Sequence, residues 1–600
     1  MSFLPINEKE MKERGWQQPD FVLVTGDAYV DHHSFGTAII GRLLEQYGYK
    51  VAILPQPNYK SAEDFRIFGK PRLGFLINSG VVDSMVNNYS VFKHRRKTDE
   101  YAPGGKAGLR PDRAVIVYAN RAKEAYKDVP VIIGGLEASL RRFGHYDYWS
   151  DKVRRSVLLD SKADLLIYGM GERAVLEIAE ALDSGIDARD ITWIRGTCYR
   201  AKNLDLPGME EAVILPSFDE ISTSKKAYAE SFALQYRNQD SISAKTMAEK
   251  YADTVYVVQN PPQPPLEREE LDDIYALPFE NEWHPTYDAL GGIPAFKEIK
   301  FSIVSSRGCF GGCSFCAITY HQGRQVRSRS KDAIVREAEA LTHKKDFKGY
   351  IHDVGGPTAN FRFPACEKQL VRGVCPNKDC LYPNVCRNMK VDHSDYLDVL
   401  RAVRGIDGVK KVFIRSGIRY DYLMADPKAD EFIEELCKYH VSGTLKVAPE
   451  HASSKVLYYM RKPDANIFLD FDRKYKEMNK RLGLKQYLIP YLISSHPGCG
   501  LREAAELAVF LKEYGFIPDQ VQDFYPTPGT LATCMYHTGL DPFTMKPVYV
   551  AKDMEEKKMQ RALMHYHKKE NEDLVKKALK KINRVDLIGY LIYNNKKPSI

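Results

Sequence analysis

Apolar and polar positions change their period along this chain, and those changes divide it into segments. Residues 20–26 (Asp-Phe-Val-Leu-Val-Thr-Gly) are an apolar run ending in a turn residue, the pattern of a buried strand. An amphipathic helix is expected from about Gly36 to Tyr47, then a second strand at Val51 to Leu54. Phe75 to Asn78, Ala114 to Tyr118, Pro130 to Ile133 and Asp164 to Tyr168 repeat the strand pattern, and Glu172 to Leu182 the helical one. Strands and helices alternating at these lengths predict a doubly wound parallel sheet over residues 1–200.

From about Ala201 the periodicity weakens, and residues 201–298 read as a connector. Ser222 to Asp253 is polar and helix-favouring. Gln259-Asn260-Pro261-Pro262-Gln263-Pro264-Pro265 is a stiff extended piece, because consecutive prolines neither continue a helix nor donate to a ladder. Alternation resumes at 299 and runs to 530. Strands are expected at Lys300–Ser305, Gly349–Asp353, Lys411–Arg415, Gly443–Val447, Gln486–Ile493 and Gln520–Phe524. Helices are expected between them at Lys331–His343, Asp392–Val403, Lys428–Tyr439, Ile467–Leu482 and Leu501–Tyr514. Residues 531–600 form a basic helical extension, in which Leu563, Leu574, Val575 and Leu579 suit packing on the preceding domain better than an RNA-binding arm.

At 600 residues the chain has length for two large cores, and 44% hydrophobic with 28% charged residues is ordinary globular composition. No apolar run approaches the ~20 residues of a membrane span. The N-terminus lacks a basic region followed by an apolar stretch, so a cytoplasmic protein is expected. Eleven cysteines in that compartment read as reduced thiols, several at metal-like spacing. A net charge of +8 over this length says little about partners.

The chemistry concentrates in Arg307-Gly308-Cys309-Phe310-Gly311-Gly312-Cys313-Ser314-Phe315-Cys316, directly after the strand at Lys300–Ser305. Cys309, Cys313 and Cys316 stand as C-x3-C-x2-C, with Phe315 before the third. Three thiolates on so short a loop suit three irons of a [4Fe–4S] cubane, leaving the fourth iron open. The alternative is a Cys3His zinc site completed by His321, although structural zinc usually draws its ligands from two separated pairs. A second set, Cys366, Cys375, Cys380 and Cys386, lies in a proline-bearing loop with little apolar content, and a four-thiolate centre, zinc or an auxiliary cluster, would explain it.

The three-cysteine loop resembles the signature of radical S-adenosylmethionine (AdoMet) enzymes, whose six-unit partial TIM-like barrel fits the alternation over 299–530. Other strand ends add to the resemblance. Gly355 and Gly356 match the element that takes the AdoMet ammonium, with Pro357 where glutamate is frequent. Arg415 and Ser416 would meet carboxylate or ribose, and Glu450 the ribose hydroxyls or the ammonium. Pro526-Thr527-Pro528-Gly529-Thr530 resembles a turn of methylthiotransferase-like members. Taken from residue 20 to about 590, the chain resembles the YgiQ family of radical AdoMet proteins. The resemblance implies a [4Fe–4S] cluster at Cys309, Cys313 and Cys316 and AdoMet bound near Phe315, Gly355, Gly356, Arg415, Ser416 and Glu450. It further implies an electron donor such as flavodoxin or ferredoxin, and a 5′-deoxyadenosyl radical acting on a substrate that no motif names.

The N-terminal segment resembles cobalamin-binding domains through Asp31-His32-His33-Ser34-Phe35-Gly36, Ser79-Gly80-Val81 and Gly134-Gly135. In that resemblance His33 is the cobalt ligand and Asp31 its supporting partner. The basic insert Lys93 to Arg113, and valine in place of leucine at 81, depart from the pattern, and cobalamin is the lesser expectation. Cobalamin-dependent methylation and tRNA methylthiolation stand as alternative reactions, and a metal-containing RNA-binding protein as the non-catalytic one.

Overall fold

The structure is a computed structural model that describes residues 2–205 and 209–593. Five parallel strands build the centre of the N-terminal sheet, in the spatial order Val51–Pro55, Phe21–Thr25, Gly74–Ile77, Val131–Ile133, Leu165–Ile167. The order reverses between Phe21–Thr25 and Gly74–Ile77, which opens a crevice at the carboxyl ends of the strands. Thr197–Ala201, Val255–Gln259 and Met247–Ala252 then add antiparallel, and Val213–Ile214 closes the edge.

Two local expectations differ from this. Ala114 to Tyr118 is not a strand but the start of a helix, Ala114–Ala125. Its buried residues, Ala114, Val115, Tyr118, Ala119 and Ala122, continue at helical spacing beyond the apolar run that suggested a strand. The 201–298 stretch places three strands in the N-terminal sheet, and helix stops at Arg237 within the polar run 222–253. The strand Met247–Ala252 was hidden by its buried Glu249, whose carboxylate accepts from Gly144 N at 2.8 Å and from the Tyr251 hydroxyl.

The second domain has all six expected strands, and every ladder among them is parallel. Ser302–Val304 pairs with Asp353–Gly355, and Tyr350–Ile351 with Lys411–Val412. Thr444–Glu450 pairs with Tyr487–Ser494, which pairs with Gln522–Asp523. Ile414 N–H donates to His440 O at 3.2 Å across the remaining gap. Strand residues Ile303, Val354, Val412, Leu445 and Leu488 pack against Leu400, Phe432, Phe468 and Phe471 of the covering helices. This is an open partial (β/α) barrel. The C-terminal helices Met554–Met564 and Glu572–Lys581 bury Met559, Leu563, Val575 and Leu579 against Ala504 and Ala508 of Leu501–Tyr514. No helix among the described residues is long and apolar enough to cross a membrane.

The two domains meet strand end to strand end. Arg307, at the close of the first barrel strand, donates from Nη1 to Glu172 Oε1 at 2.5 Å and from Nε to Tyr275 OH at 3.0 Å, with every partner buried. The cost of burying this guanidinium is offset by Glu172 and Tyr275, which hold its pKa above the ordinary value. Glu172→Ala removes that compensation and leaves a buried cation, so the transition that separates the domains should lose about 3–5 kcal/mol. Denaturant unfolding followed by limited proteolysis at the seam measures the loss.

Candidate functional site

The three-cysteine loop is held open by glycine and pinned from three sides. Gly308 has φ +81, and a Cβ there would run into the backbone carbonyl of Gln325. Ser314 N–H donates to Met460 O at 3.0 Å, and Ala532 N–H donates to Ser314 O at 2.9 Å. Thr530 caps the helix that carries Ala532, accepting from Thr533 N at 3.3 Å, so the Pro-Gly-Thr turn braces the cysteine loop. Phe315 stands edge-on to His496 at 5.9 Å, and Ser314 Oγ lies 3.1 Å from His496 Nε2. Phe310 stacks on Phe361 at 3.8 Å and seals the loop from behind.

Donors converge on the sulfurs. Gly311 N–H donates to Cys309 Sγ at 3.4 Å, and Thr358 Oγ1 lies 3.8 Å from the same atom. Arg419 Nη1 donates to Cys313 Sγ at 3.4 Å, while its Nε and Nη2 bind the Asp421 carboxylate at 2.8 and 2.6 Å. Burial opposes the charge on Arg419, but Asp421 and the neighbouring sulfurs reverse that and hold its pKa well above the ordinary value. A neutral thiol is a weak acceptor and a thiolate a strong one, so these donors suit sulfur in the anionic, metal-ligating form. Burial, with Cys313 and Cys309 adding to it, raises the Cys316 thiol to about 12, so the free thiol is protonated until a metal displaces the proton. Among the described residues, no three His, Cys, Asp or Glu side chains converge closely enough to hold a single metal ion. His321 turns to Ser139 Oγ, 3.0 Å from its Nδ1.

A cavity of about 1000 Å³ lies between the strand ends of the two domains. On the barrel side it is lined by Ser306, Arg307, Gly355, Gly356, Pro357, Arg415, Ser416 and Lys446. The strand end at 355–356 is so crowded that a methyl on Gly355 would overlap Ser416 Oγ, and one on Gly356 would lie 2.6 Å from Ser306 Oγ. Arg415 is half-exposed and lies 3.9 Å from Glu298, so the arginine brought to the cysteines is Arg419, four residues on. Glu450 sits outside the cavity lining, at the end of its strand, with φ +68 and a buried carboxyl 3.7 Å from Lys462 Nζ. Burial raises the Glu450 pKa, against the opposing charges of Lys462 and Arg419.

The sheet side of the cavity is lined by His33, Asn78, Gly80, Val81, Gly134, Gly135 and Glu172. The expected support of His33 by Asp31 does not form. Asp31 is taken by the buried Arg42 guanidinium and accepts from Glu280 N at 3.0 Å. His33 Nε2 instead lies 2.8 Å from Glu337 Oε1, across the domain seam, and Glu337 also pairs with Arg329. Burial works against ionisation of Glu337, yet His33 and Arg329 outweigh it and hold the carboxyl at about 2. His33 Nδ1, Glu172 Oε2, Ser306 Oγ, Arg307 Nη2 and Ser416 Oγ all line this cavity without a hydrogen-bond partner. Orphaned polar atoms gathered on one cavity fit a polar ligand rather than a dry core. Sequence reasoning missed Arg419 on the sulfurs, and missed Glu337 altogether because it lies mid-helix among ordinary surface-type residues.

This arrangement, a cysteine loop at the mouth of a partial parallel barrel, defines a radical AdoMet protein. The sequence profile described as Radical SAM N-terminal matches residues 3–302, and that of the Radical SAM superfamily matches 303–492. A domain of unknown function matches 519–596. A UPF0313 protein of Clostridium botulinum (strain Kyoto / Type A2) is 58% identical over 589 residues, covering 98% of this chain and 91% of the relative. One from Clostridium perfringens (strain ATCC 13124) is 58% identical over 587 residues, covering 98% and 88%. The chain therefore belongs to the UPF0313, or YgiQ, family of radical AdoMet proteins, and it is an enzyme whose substrate is unknown. Solved structures with a related chain path include the methyltransferase TsrM of Kitasatospora setae, with tryptophan and an AdoMet analogue bound. It is 12% identical at TM-score 0.48, over 86% of this chain and 76% of that one. The cobalamin-dependent AdoMet radical enzyme OxsB is 13% identical at TM-score 0.47, over 96% and 63%.

Two outcomes follow from this geometry. With AdoMet at this strand end, as the resemblance implies, Gly355→Ala should lower AdoMet affinity at least tenfold, about 1.4 kcal/mol, read by equilibrium dialysis with labelled AdoMet. The second concerns His451 and His496, which burial lowers to about 3. The unfolded chain protonates these rings near pH 6.5 and the folded chain does not, so the stability they contribute above 6.5 is lost as pH falls toward 3. The slope is ~1.4 kcal/mol per pH unit per ring. Thermal midpoints taken from about pH 7.5 to 5 should fall, and less steeply in His451→Asn.

Proposed function

We propose that this enzyme reductively cleaves AdoMet at a [4Fe–4S] cluster held by Cys309, Cys313 and Cys316, and directs the resulting 5′-deoxyadenosyl radical at a substrate in the cavity between its domains. The observation that carries this reading is Arg419, a buried guanidinium already matched by Asp421 that still donates to Cys313 Sγ. When bound, the cluster supplies the electron for the cleavage.

The chain's own residues do the rest. Arg419 and Gly311 N–H stabilise thiolate charge. Ser416 and the crowded Gly355-Gly356 strand end offer a hydroxyl and backbone carbonyls to the amino-acid end of AdoMet, whereas Glu450, expected to meet its ribose or ammonium, lies outside that cavity lining and faces Lys462. Phe315, edge-on to His496, is held directly before the last cysteine of the loop. The reductant is of the flavodoxin or ferredoxin class.

Cobalamin-dependent methylation is the second reading, favoured by the size of the cavity and by Gly80, Gly134 and Gly135 along its sheet side. His33 would serve it poorly as a cobalt ligand, because Glu337 already holds its Nε2. Cobalamin retained through purification would promote that reading.

Protein reconstituted with iron and sulfide without oxygen should, once reduced by dithionite, form 5′-deoxyadenosine from AdoMet. The Cys309→Ala, Cys313→Ala, Cys316→Ala triple variant should form none. Equal product from the variant, measured by chromatography with mass detection, sinks the proposal. Tight, salt-sensitive RNA binding with no AdoMet cleavage by the wild type would favour the non-catalytic reading.

A further inference from the structure

The loop after the second barrel strand carries Cys366, Cys375, Cys380 and Cys386, all free thiols. Sequence distance does not separate them in the fold. Cys386 N–H donates to Cys380 O at 2.8 Å, and Lys390 N–H donates to Ala365 O at 3.0 Å, which brings the two ends of the loop together. Gln369 ties two corners together, since its N–H donates to Cys366 O at 3.0 Å and its Nε2 lies 3.7 Å from Cys380 Sγ. Arg324 Nη1 donates to Cys375 O at 3.4 Å, and this guanidinium lies in the field of both Cys375 and Cys380.

Charge shows what the loop is built to hold. Arg324 is 7% exposed, and its Nε has no hydrogen-bond partner. Arg324 and Arg461 share a single carboxylate, Asp379, at 3.2 and 3.0 Å. Two guanidinium groups against one carboxylate leave a positive balance beside four thiols. Burying an unmatched cation is expensive, so the surplus implies negative charge on the sulfurs. Four thiolates around a metal centre supply it.

We propose that Cys366, Cys375, Cys380 and Cys386 ligate a second [4Fe–4S] cluster, distinct from the one at Cys309, Cys313 and Cys316. Zinc would need all four sulfurs about 2.3 Å from one ion. Yet no three of these side chains converge on a single-ion position. Cys309, Cys313 and Cys316 form no single-ion position either, and a cubane asks for sulfurs set around a larger body than one ion. The two loops touch. A Cβ on Gly312 would lie 3.1 Å from Asp379 Oδ1, and Cys309, Phe310 and Cys380 share one small apolar cluster with Phe361 and Leu381. The second centre thereby fixes the back wall of the first.

The proposal does not rest on AdoMet cleavage, and its test reads metal rather than turnover. The Cys309→Ala, Cys313→Ala, Cys316→Ala variant, reconstituted without oxygen, should keep about four irons and four sulfides per chain, the content of one cubane, with a [4Fe–4S] Mössbauer doublet. Adding Cys366→Ser and Cys386→Ser, both at half-exposed positions, should abolish that iron while circular dichroism stays unchanged. Arg324→Gln in the triple variant should lower the reduction potential of the remaining cluster, because a neighbouring cation favours the reduced, more negative state. A triple variant that binds zinc in place of iron overturns the cluster assignment. One that is folded, metal-free and freely alkylated at all four thiols overturns the site.

Discussion

The buried pair of Arg307 and Glu172 is the contact on which the geometry of the site depends. Arg307 is the last residue before Gly308 and Cys309, so the side chain that locks the two domains together also sets where the cysteine loop begins. Neither partner is stable alone in that position, because each is a desolvated charge. The barrel mouth and the N-terminal strand ends are therefore held at one separation, and the cavity between them has walls from both. His33 against Glu337 repeats the device on the sheet side. In the proposed reaction, walls held in this way would position the substrate and keep stray C–H and S–H hydrogen donors from the radical.

Charge around the cysteines is arranged in alternation. Asp421 holds Arg419, Arg419 meets Cys313, and Glu450 is balanced between Arg419 and Lys462. Each group has a neighbour of opposite sign, which is how buried ions persist. The left-handed backbone at Glu450 is unusual for a residue with a side chain and costs of order 1 kcal/mol, which the surrounding pairs must offset. Strain of this kind at a strand end is found where a carboxylate must be aimed rather than merely accommodated.

The fold was legible where burial is one-sided or complete. Phe21–Thr25 and Val51–Pro55 announce themselves as apolar runs, and Leu501–Tyr514 by its helical spacing. Reading failed where tertiary structure pays for an exception. Ala114–Ala125 opens with β-branched residues that suit either state, and only its later alanines decide for helix. Met247–Ala252 carries a buried glutamate satisfied by groups far away in sequence. At the site, spacing exposed the cysteines because metal ligation constrains neighbours in sequence. Arg419, Glu337 and Glu172 act on residues more than a hundred positions away, and nothing local marks them.

The N-terminal sheet keeps the shape that resembles a cobalamin-binding domain but pairs its polar groups differently from the expectation. The switch-point crevice and the Gly134-Gly135 turn that resemble a cobalamin-binding domain remain, and they line the cavity. The polar groups pair otherwise than that resemblance implies. Asp31, expected behind the histidine, instead anchors Arg42 beneath the sheet, and Glu280 from the linking segment closes over it. His33 faces a barrel helix through Glu337, with its other nitrogen unpartnered and buried at the cavity wall. A histidine so oriented holds the domains together through one nitrogen and offers the other to whatever enters. With substrate in this cavity, as proposed, the sheet would serve as its facing wall, with His33 Nδ1 and Glu172 Oε2 both free to meet it.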